Sequence, residues 1–427
     1  MNALLVPLLF VLLVVGSSPA VADTITVTSL TDNGESGTFR WALARARTNG
    51  VADSILFDLP LPYVIEPTNQ LPAVGDSQPT WLLGSSQPGY TGVPIVTVRG
   101  TLAGASAIGL VVTSAGNRVQ ALVIAAFSNY GVYVQSAHSN EIQGCYIVGN
   151  GSSGVDIWAG RGNVIGGTIA SDRNVISSNY YGVQIRGSQP HTNRIVGNYI
   201  GTDPTGSNAW PNSVGIFAQA GAGLLVGGSD AGEGNVISGN TGSGILVLPS
   251  ASACIIRGNF IGTDASGSQA VGNGLNGVED QNVGGITIGG TNAGDRNVIS
   301  GNGTGSGGQG VYLFGADARN NLVVGNYIGV DATGLKAISN RNNGVQVLGG
   351  GSNTISGNVI SGNGDAGVRV YGYSYSCFCN VHVTGTVIRG NYIGTDRTGT
   401  NALRNSGAGI ALIYSREAVI GGTNTAD

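Results

Sequence analysis

The feature that most constrains this chain is a short repeat built around an asparagine and an aliphatic residue. Asn117, Asn140 and Asn163 follow one another at a spacing of 23 residues, and each is followed two positions later by Val or Ile. The short segments within each copy alternate apolar residues with polar or small ones, which is typical of a β-strand with one buried face. A fixed period of this length indicates an array of repeating units.

One copy shows how many strands a unit contains. Residues 353–357 read Asn-Thr-Ile-Ser-Gly, residues 358–362 read Asn-Val-Ile-Ser-Gly, and residues 367–370 read Gly-Val-Arg-Val. Every copy presents the same apolar face again, and parallel stacking buries it because each aliphatic residue then lies on its equivalent in the next copy. Parallel crossovers are right-handed almost without exception. The sequence therefore predicts an all-β fold, a right-handed parallel β-helix (solenoid) with three strands per rung.

The inward residue of the first strand can be followed along the chain. It is, in order, Val119, Ile142, Ile165, Ile195, Val226, Ile256, Ile288, Val323, Ile355, Ile388 and Ile420. About eleven rungs, at about 4.8 Å each, predict a rod roughly 50 Å long. We expect the corner asparagines to stack their amides into ladders that satisfy backbone groups, and to tolerate the left-handed backbone conformation there.

Two kinds of insertion lengthen the rungs from Ile165 onward. The first kind follows the first strand, as in residues 289–297, and the second kind follows the second strand, as in residues 329–334. The two kinds alternate, so that a pair of rungs makes one longer unit. Its marker asparagines recur every 61 or 62 residues, at Asn174, Asn235, Asn297 and Asn358.

The two ends of the chain differ from the repeat. Residues 1–22 combine an apolar stretch with a final Ala-Val-Ala, the layout of a cleavable export signal, which predicts a secreted or cell-surface protein. Residues 23–100 contain a strand at 24–28 and a short amphipathic helix at 38–46, and we expect this region to cap the open end of the coil. Residues 101–427 form the predicted β-helix domain. It stops inside an insertion of the first kind, so we expect a further part beyond Asp427.

The charge of the chain restricts its partners. The formal net charge is −4, only 10% of the residues are charged, and no run of Lys or Arg occurs. A nucleic-acid partner requires a basic stripe, so we expect none. Beyond the leader no apolar segment approaches the roughly 20 residues that a transmembrane helix needs, so we expect no transmembrane segment in the mature chain.

The repeats resemble those of bacterial secreted right-handed β-helix proteins of the pectin-lyase-like superfamily, over nearly all of the mature chain. The entry segment of that family, a Cys-Ser-Leu-Arg-Glu-Ala-type motif, is similar to residues 37–42, where Arg40 and Ala42 agree at identical places. Residues 87–94 match the segment before the first rungs. The resemblance implies a secreted or surface protein, and relatives on this fold include polysaccharide lyases, polygalacturonases and adhesins.

The candidate binding residues form two groups. Four aspartates occupy the same site in successive insertions of the second kind: Asp203, Asp264, Asp331 and Asp396. Each can shape an Asx-type turn in its own loop, or the row can bind calcium ions or glycan hydroxyls along one side of the rod. Tyr371, Tyr373 and Tyr375 lie in an insertion that breaks the repeat, where they can stack on sugar rings or pack against the coil.

Two observations argue against catalysis. Polygalacturonase-type sites resemble the strings Asn-Thr-Asp, Asp-Asp, Gly-His-Gly and Arg-Ile-Lys, and none of these occurs here. A row of equivalent aspartates, about 10 Å apart, also gives no two carboxyl groups the distinct environments that glycoside hydrolysis requires. We therefore expect no catalytic residues and no cofactor apart from calcium at the row. The predicted function is non-catalytic, adhesion-like binding of a polysaccharide or cell-surface glycan; the alternative is a polysaccharide lyase or glycoside hydrolase.

Overall fold

The computed structural model describes residues 22–187, 192–305, 307–374 and 380–422. In this part of the chain three sheets run along the rod, and their strands pair in parallel with neighbours from the preceding and following turns. Each of the complete turns from Thr80–Leu83 to Ile410–Ile413 contributes one strand to each sheet. The fold is a right-handed parallel β-helix with three strands per rung, which confirms the prediction.

The strand bounds follow the three sheets. The first sheet has 14 strands: Asp23–Val27, Asp53–Phe57, Thr80–Leu83, Arg118–Gln120, Glu141–Gln143, Val164–Gly166, Arg194–Val196, Leu225–Gly227, Ile255–Arg257, Thr287–Gly289, Leu322–Val324, Thr354–Ser356, Val387–Arg389 and Val419–Ile420. The second sheet has 12 strands: Val64–Ile65, Val96–Arg99, Leu122–Ala125, Tyr146–Val148, Val175–Ser177, Tyr199–Ile200, Val236–Ile237, Phe260–Ile261, Val298–Ile299, Tyr327–Ile328, Val359–Ile360 and Tyr392–Ile393. The third sheet has 11 strands: Leu110–Val112, Val132–Gln135, Ser153–Trp158, Tyr181–Arg186, Val214–Ala222, Ile245–Ser252, Val278–Gln281, Val311–Phe314, Val345–Leu348, Val368–Tyr371 and Ile410–Ile413.

A few short elements lie outside these sheets. Tyr373–Ser374 pairs antiparallel with Asn380–Val381, and Val383–Thr384 pairs parallel with Ser415–Arg416. The 3-10 turns are Gly84–Ser86, Gly100–Leu102, Ala170–Asp172 and Ala293–Asp295. The α-helix is Phe39–Ala46.

Aliphatic side chains of successive rungs lie on one another inside the coil. In the first sheet Ile142 pairs with Val119 on one side and with Ile165 on the other, and the same register continues to Ile420. All eleven predicted positions therefore belong to one column. Leu82 pairs with Val119, and the column continues through the two preceding strands of the sheet.

The second sheet contributes a matching inward column. Ile237, Ile299 and Ile360 all point inward and are 0% exposed. Complete burial of one such side chain stabilises a fold by about 1.5 to 3 kcal/mol relative to exposure. The stacked columns are therefore the main source of stability in the coil.

Asparagine amides form the predicted ladders at the corners. Between the second and third sheets, each Nδ2 donates to the next Oδ1 along Asn150, Asn179, Asn212, Asn240, Asn273, Asn302, Asn340, Asn363 and Asn405. Between the first and second sheets the same bonds link Asn174, Asn198, Asn235, Asn259, Asn297, Asn326, Asn358 and Asn391. Many of these amides also donate to a carbonyl of a preceding turn, as Asn273 does to Ile237 at 3.0 Å, so the bends leave few polar groups unsatisfied.

The expectation that these asparagines take the left-handed backbone conformation is wrong. The left-handed residue is commonly the one before the ladder asparagine: Gly197, Gly258 and Gly325 have φ angles of +67°, +70° and +71°. Glycine adopts this conformation readily because it has no Cβ. The bend is therefore made by the glycine, and the asparagine is needed for its amide.

The ladder between the third and first sheets is interrupted. It links Asn117, Asn140, Asn163 and Asn193, and it resumes at Asn321 and Asn353. Near this gap Asp280 points inward from the third sheet, in register with Val247 and Leu313. Its carboxylate accepts hydrogen bonds from Val283 N at 2.8 Å and from Asn321 Nδ2 at 2.9 Å. One carboxyl group therefore stands in an otherwise aliphatic column.

The helix Phe39–Ala46 caps the N-terminal end of the coil, as predicted. Thr38 Oγ1 accepts a hydrogen bond from Trp41 N at 3.2 Å and so caps the first turn of the helix. The buried residues of the helix join the main hydrophobic core, and the ring of Phe39 lies 5.6 Å from that of Phe57. Within the described residues, no helix has the length and apolar character needed to span a membrane.

The insertions of the second kind stack into a continuous ridge. Each loop is closed by one antiparallel bridge: Thr202 with Ala209, Thr263 with Ala270, Val330 with Ala337, and Thr395 with Ala402. Successive loops are joined by Ala265 N to Gly206 O, Ala332 N to Gly267 O, and Arg397 N to Gly334 O, at 2.9 to 3.0 Å. These loops, which we call the loop ridge, follow the corner between the second and third sheets.

Candidate functional site

The outer face of the third sheet departs most from the repeat. Its outward column consists of Tyr133, Asp156, Gln184 and Phe217 on four successive rungs, paired in register. The outward column of the second sheet instead alternates valine with an aromatic residue. The outward residues of the third sheet therefore do not follow the repeat, because unlike side chains lie on one another from rung to rung. We take this face as the candidate site.

Asp156 and Arg186 form the charged centre of the face. Arg186 Nε donates to Asp156 Oδ1 at 3.1 Å and lies 3.0 Å from Oδ2, which receives no hydrogen bond. The side chain of Asp156 is 0% exposed, whereas that of Arg186 is 30% exposed. Burial raises the pKa of Asp156 to about 6, although the guanidinium of Arg186 opposes the rise.

Two tyrosines hold the guanidinium of Arg186. Its Nη2 donates to the hydroxyl of Tyr130 at 2.8 Å. Its central carbon lies 5.4 Å from the ring centroid of Tyr130 and 5.9 Å from that of Tyr133, within the range of cation–π attraction. The two rings are themselves 5.2 Å apart. A carboxylate, a hydroxyl and two rings thus fix Arg186, while part of it stays open to solvent.

Further aromatic side chains extend this face. The ring of Tyr181 stacks on Phe217 at 4.5 Å, and Tyr180 meets Tyr181 edge-on at 4.7 Å. Trp158 is 41% exposed and Tyr180 is 53% exposed. We call the following residues the aromatic face: Tyr130, Tyr133, Asp156, Trp158, Tyr180, Tyr181, Arg186 and Phe217. Such rings can stack on the apolar faces of sugars, and a fixed guanidinium beside them can donate to hydroxyl or carboxylate oxygens.

The sequence analysis missed Asp156 and Arg186 as site residues. In the third sheet Asp156 pairs with Gln184 and Trp158 pairs with Arg186, so the two charged residues are diagonal neighbours on adjacent rungs. The spacing of the first-sheet column, 30 positions from Ile165 to Ile195, therefore does not bring them side by side. The signal in the sequence is an acid and a base that both point outward on successive copies of one strand.

The four predicted aspartates lie in the loop ridge, and each accepts hydrogen bonds within its own loop. Asp203 Oδ1 accepts from Thr205 Oγ1 at 2.8 Å and from Ser207 N at 3.1 Å. Asp264, Asp331 and Asp396 accept corresponding bonds from residues two to five positions further on. This is the geometry of the Asx-type turn that the sequence suggested.

The loop hydrogen bonds also favour the charged form of these aspartates. Desolvation would raise the pKa of Asp203, but hydrogen bonds from Asn208 and Thr205 outweigh it and lower the pKa to about 2. The pKa of Asp264 is lowered by the same balance, and that of Asp396 is lowered chiefly by side-chain hydrogen bonds. No group of three or more His, Cys, Asp or Glu that could hold a metal ion occurs among the described residues. The ridge thus carries single, internally bonded carboxylates.

The predicted tyrosines lie elsewhere on the rod. Tyr371 ends the third-sheet strand Val368–Tyr371, seven rungs or about 34 Å from Asp156 at about 4.8 Å per rung. Arg369 lies over the ring of Tyr371, at 5.8 Å from its centroid. Tyr373 begins the short strand Tyr373–Ser374, and Tyr375 lies outside the described residues. The loop ridge lies before the third-sheet strands, whereas Tyr371 is the last residue of one of them. The structure therefore does not bring the two predicted groups together in one site.

Comparisons with known proteins identify neighbours in structure. No protein-family model matches the chain, and no curated protein matches its sequence. The Dettilon tailspike protein aligns with 91% of this chain and 68% of its own, at 16% identity and a TM-score of 0.49. A variant of the periplasmic alginate epimerase AlgG aligns with 87% of this chain and 77% of its own, at 13% identity and a TM-score of 0.47. For the A-module of the mannuronan C-5 epimerase AlgE6 of Azotobacter vinelandii, the shares are 88% and 85%, the identity is 14% and the TM-score is 0.37. The strand pairing, independently of these neighbours, makes the chain a right-handed parallel β-helix.

Proposed function

We propose that this chain is a secreted or cell-surface β-helix that binds a polysaccharide on its aromatic face. The observation that carries the proposal is the fixed, partly exposed guanidinium of Arg186 in register with the exposed Trp158 of the preceding rung. The exposed ring of Tyr180 lies at the other end of the strand that Arg186 ends. Aromatic rings pack on the apolar faces of sugars, and a guanidinium fork donates to hydroxyl or carboxylate oxygens. Trp158 and Arg186 are paired on neighbouring rungs, so an extended glycan along the rod contacts them in succession.

Binding without turnover is favoured over the polysaccharide lyase or glycoside hydrolase alternative. A general acid or base must come within hydrogen-bond reach of the proton that it transfers. Asp156 has a raised pKa, but its carboxyl group is completely buried and bound to Arg186. Its role in the proposal is to position Arg186, and the ligand contacts the guanidinium and the rings.

The loop ridge and Tyr371 are proposed as secondary contacts for the same ligand. The ridge begins at the rung of Phe217 and borders the third sheet from there on. A glycan that continues from the aromatic face along the rod passes beside the loops of Asp203, Asp264, Asp331 and Asp396. Tyr371 lies on the same sheet, further along the rod. Both groups would lengthen the contact and leave the aromatic face as its strongest part.

Glycan-array binding by the full chain tests the proposal, with two tryptophan variants compared. Trp158→Ala is expected to weaken binding about tenfold or more, as removal of a central aromatic contact does. The matched control is Trp81→Ala, because Trp81 is 45% exposed and lies on the first sheet under Arg118. This control should bind like the unmodified chain. Absence of any glycan binding, or equal binding by both variants, would contradict the proposal.

The bound glycan then serves to test turnover. Prolonged incubation is expected to leave its length unchanged and to produce no unsaturated sugar, measured by ultraviolet absorbance and by chain-length analysis. Release of unsaturated or shortened products that depends on Arg186 would instead establish the enzyme alternative.

A further inference from the structure

Aromatic residues stand at every second rung in the outward column of the second sheet. The column consists of Val123, Tyr146, Val175, Tyr199, Val236, Phe260, Val298, Tyr327, Val359 and Tyr392, paired in register. The insertions of the first kind border this column on one side, and the loop ridge borders it on the other. The outer face of the second sheet is therefore a column of rings and valines enclosed between two rows of loops, and much of it is buried.

Two of the rings are covered by an arginine from an insertion of the first kind. The guanidinium carbon of Arg173 lies 4.4 Å from the ring centroid of Tyr199, and that of Arg296 lies 4.2 Å from the ring centroid of Tyr327. Nε of each arginine donates to a glycine carbonyl at 3.2 Å. The repeat thus contains two copies of one arginine site.

The repeat between these two copies lacks the arginine. Arg173 and Arg296 each precede a ladder asparagine, and the residue at that place in the middle repeat is Gly234. A pocket of roughly 500 Å³ opens there, lined by Gly234, Gly258 and Phe260, and on one side by Arg173 and Tyr199 of the preceding arginine site. The middle repeat therefore keeps the aromatic ring of the arginine site and leaves the place of the side chain open.

The local charge changes in the direction that favours a cation. Asp230 lines the same pocket and is exposed. The equivalent residues of the neighbouring insertions are Ile169 and Asn292, which carry no charge. Relative to its sister sites the middle repeat thus lacks its own arginine and carries an additional carboxylate. The guanidinium of Arg173 also lines the pocket, where it lies over the ring of Tyr199 and donates to Gly197 O. Opposite charges attract most strongly in a partly enclosed site, because less water screens them there.

We propose that the pocket over Phe260 binds the guanidinium group of an arginine presented by a partner protein. The ring supplies cation–π attraction and Asp230 supplies an ion pair. Gly258 stands where Gly197 and Gly325 accept a hydrogen bond from the arginine of each sister site. This site lies on another sheet from the aromatic face and does not rest on the proposed glycan binding.

Calorimetric titration of the full chain with Nα-acetylarginine methylamide tests the site, with the citrulline analogue as the uncharged control of the same shape. We expect binding at one site, with the arginine compound roughly tenfold tighter than the citrulline compound. Asp230→Asn and Phe260→Leu should each weaken binding of the arginine compound roughly fivefold. Trp158→Ala, on the aromatic face, should leave it unchanged.

A filled pocket provides the complementary test. Gly234→Arg places the side chain of the sister repeats over Phe260 and should abolish binding of the arginine compound. A Cβ on Gly234 would lie 2.1 Å from Gly258 O in the present backbone, so the loop must shift, and Phe260→Leu is the variant that decides if this one fails to fold. Equal binding of the two compounds, or full binding by Phe260→Leu, overturns the proposal.

Discussion

The outer faces of the second and third sheets share one backbone geometry and differ in what covers them. On the second sheet, Val298 and Tyr327 are 4% and 6% exposed because the loops close over the column. An added Cβ on Gly334 of the loop ridge would lie only 2.9 Å from the ring of Tyr327. On the third sheet Tyr180 is 53% exposed. The outward column beside it is nevertheless covered, since Asp156, Gln184 and Phe217 are 0%, 8% and 9% exposed. Regular alternation is thus found where side chains must fit loops that also repeat, and variety is found where side chains of neighbouring rungs cover one another.

The pKa values of the carboxyl groups also differ between the third sheet and the repeated loops. Asp156 and Asp280 belong to third-sheet strands, and burial raises their pKa values to about 6 and about 7. Asp203 belongs to a repeated loop whose hydrogen bonds lower its pKa to about 2. The repeated loops therefore favour charged aspartate, whereas the third sheet contains carboxyl groups that favour the neutral form.

The largest expected effect separates inward from outward positions. Ile299→Asp places an unpaired charge in the inward column, and we expect a loss of stability of at least about 4 kcal/mol or failure to fold. Gln346→Asp is the control, because Gln346 points outward on the third sheet and pairs with Arg369 of the next rung, so its stability should change by less than about 1 kcal/mol. Thermal unfolding and protease resistance measure both. Resistance of Ile299→Asp equal to that of the unmodified chain would contradict the stacked core.

The next prediction compares the two outer faces directly. Tyr327→Ala should destabilise the chain by about 2 to 4 kcal/mol, because it leaves a cavity under the loop ridge and Arg296. Tyr180→Ala should cost less than about 1 kcal/mol, since the ring is mostly exposed. Urea unfolding measures both changes. If the two variants lose equal stability, the two faces do not differ in the way described.

The third prediction concerns the pH dependence that Asp280 imposes. Its pKa is raised to about 7, chiefly by desolvation, so the folded chain holds a proton that the unfolded chain releases near pH 4. Stability should fall as pH rises between these values, and the loss is complete above about pH 7. Asp280→Asn carries no ionisable group, and its stability relative to the unmodified chain should rise across this range by a few kcal/mol. Melting temperatures from pH 4 to 8 measure it, and parallel curves for the two chains would refute it.

The smallest expected effect has the opposite sign. Asp203 has a pKa lowered to about 2, so its ionised form contributes stability above about pH 4, and this contribution is lost as pH falls toward 2. Asp203→Asn should lower the melting temperature by a few degrees at neutral pH, and the difference should shrink in acid. Thermal unfolding at pH 7 and pH 3 compares the two chains. A difference that grows in acid would show that Asp203 does not stabilise its loop as a carboxylate.

Several features could be predicted because they repeat at fixed spacing. The inward column from Val119 to Ile420, the amide ladders and the two kinds of loop each follow from residues that return at one period. The cap could be predicted because the helix Phe39–Ala46 is amphipathic over its own length. Each of these features needs only local sequence and the assumption that copies stack.

The site could not be predicted in the same way, because it depends on contacts that the period does not fix. Asp203 and its equivalents were predicted as candidate binding residues because they form a row. In the structure each carboxylate accepts hydrogen bonds from its own loop, as Asp203 does. Asp156 was not predicted as a site residue, because its strand has the ordinary repeat pattern. Its burial comes from Arg186 and from the tyrosines that surround Arg186. The position of Asp156 in the sequence does not indicate that its carboxyl group is buried.

By itself, the sequence determined the coil: period-two alternation, glycine bends and asparagine amides leave parallel stacking as the arrangement that buries every copy. Only the tertiary structure decided which outward side chains are covered, which carboxyl groups have raised pKa values, and where the repeat leaves a pocket, as at Gly234. The physical reason is that inward contacts join identical residues at a constant distance. Outward contacts join different residues from separate rungs, and their energies depend on solvent exposure and charge at each place.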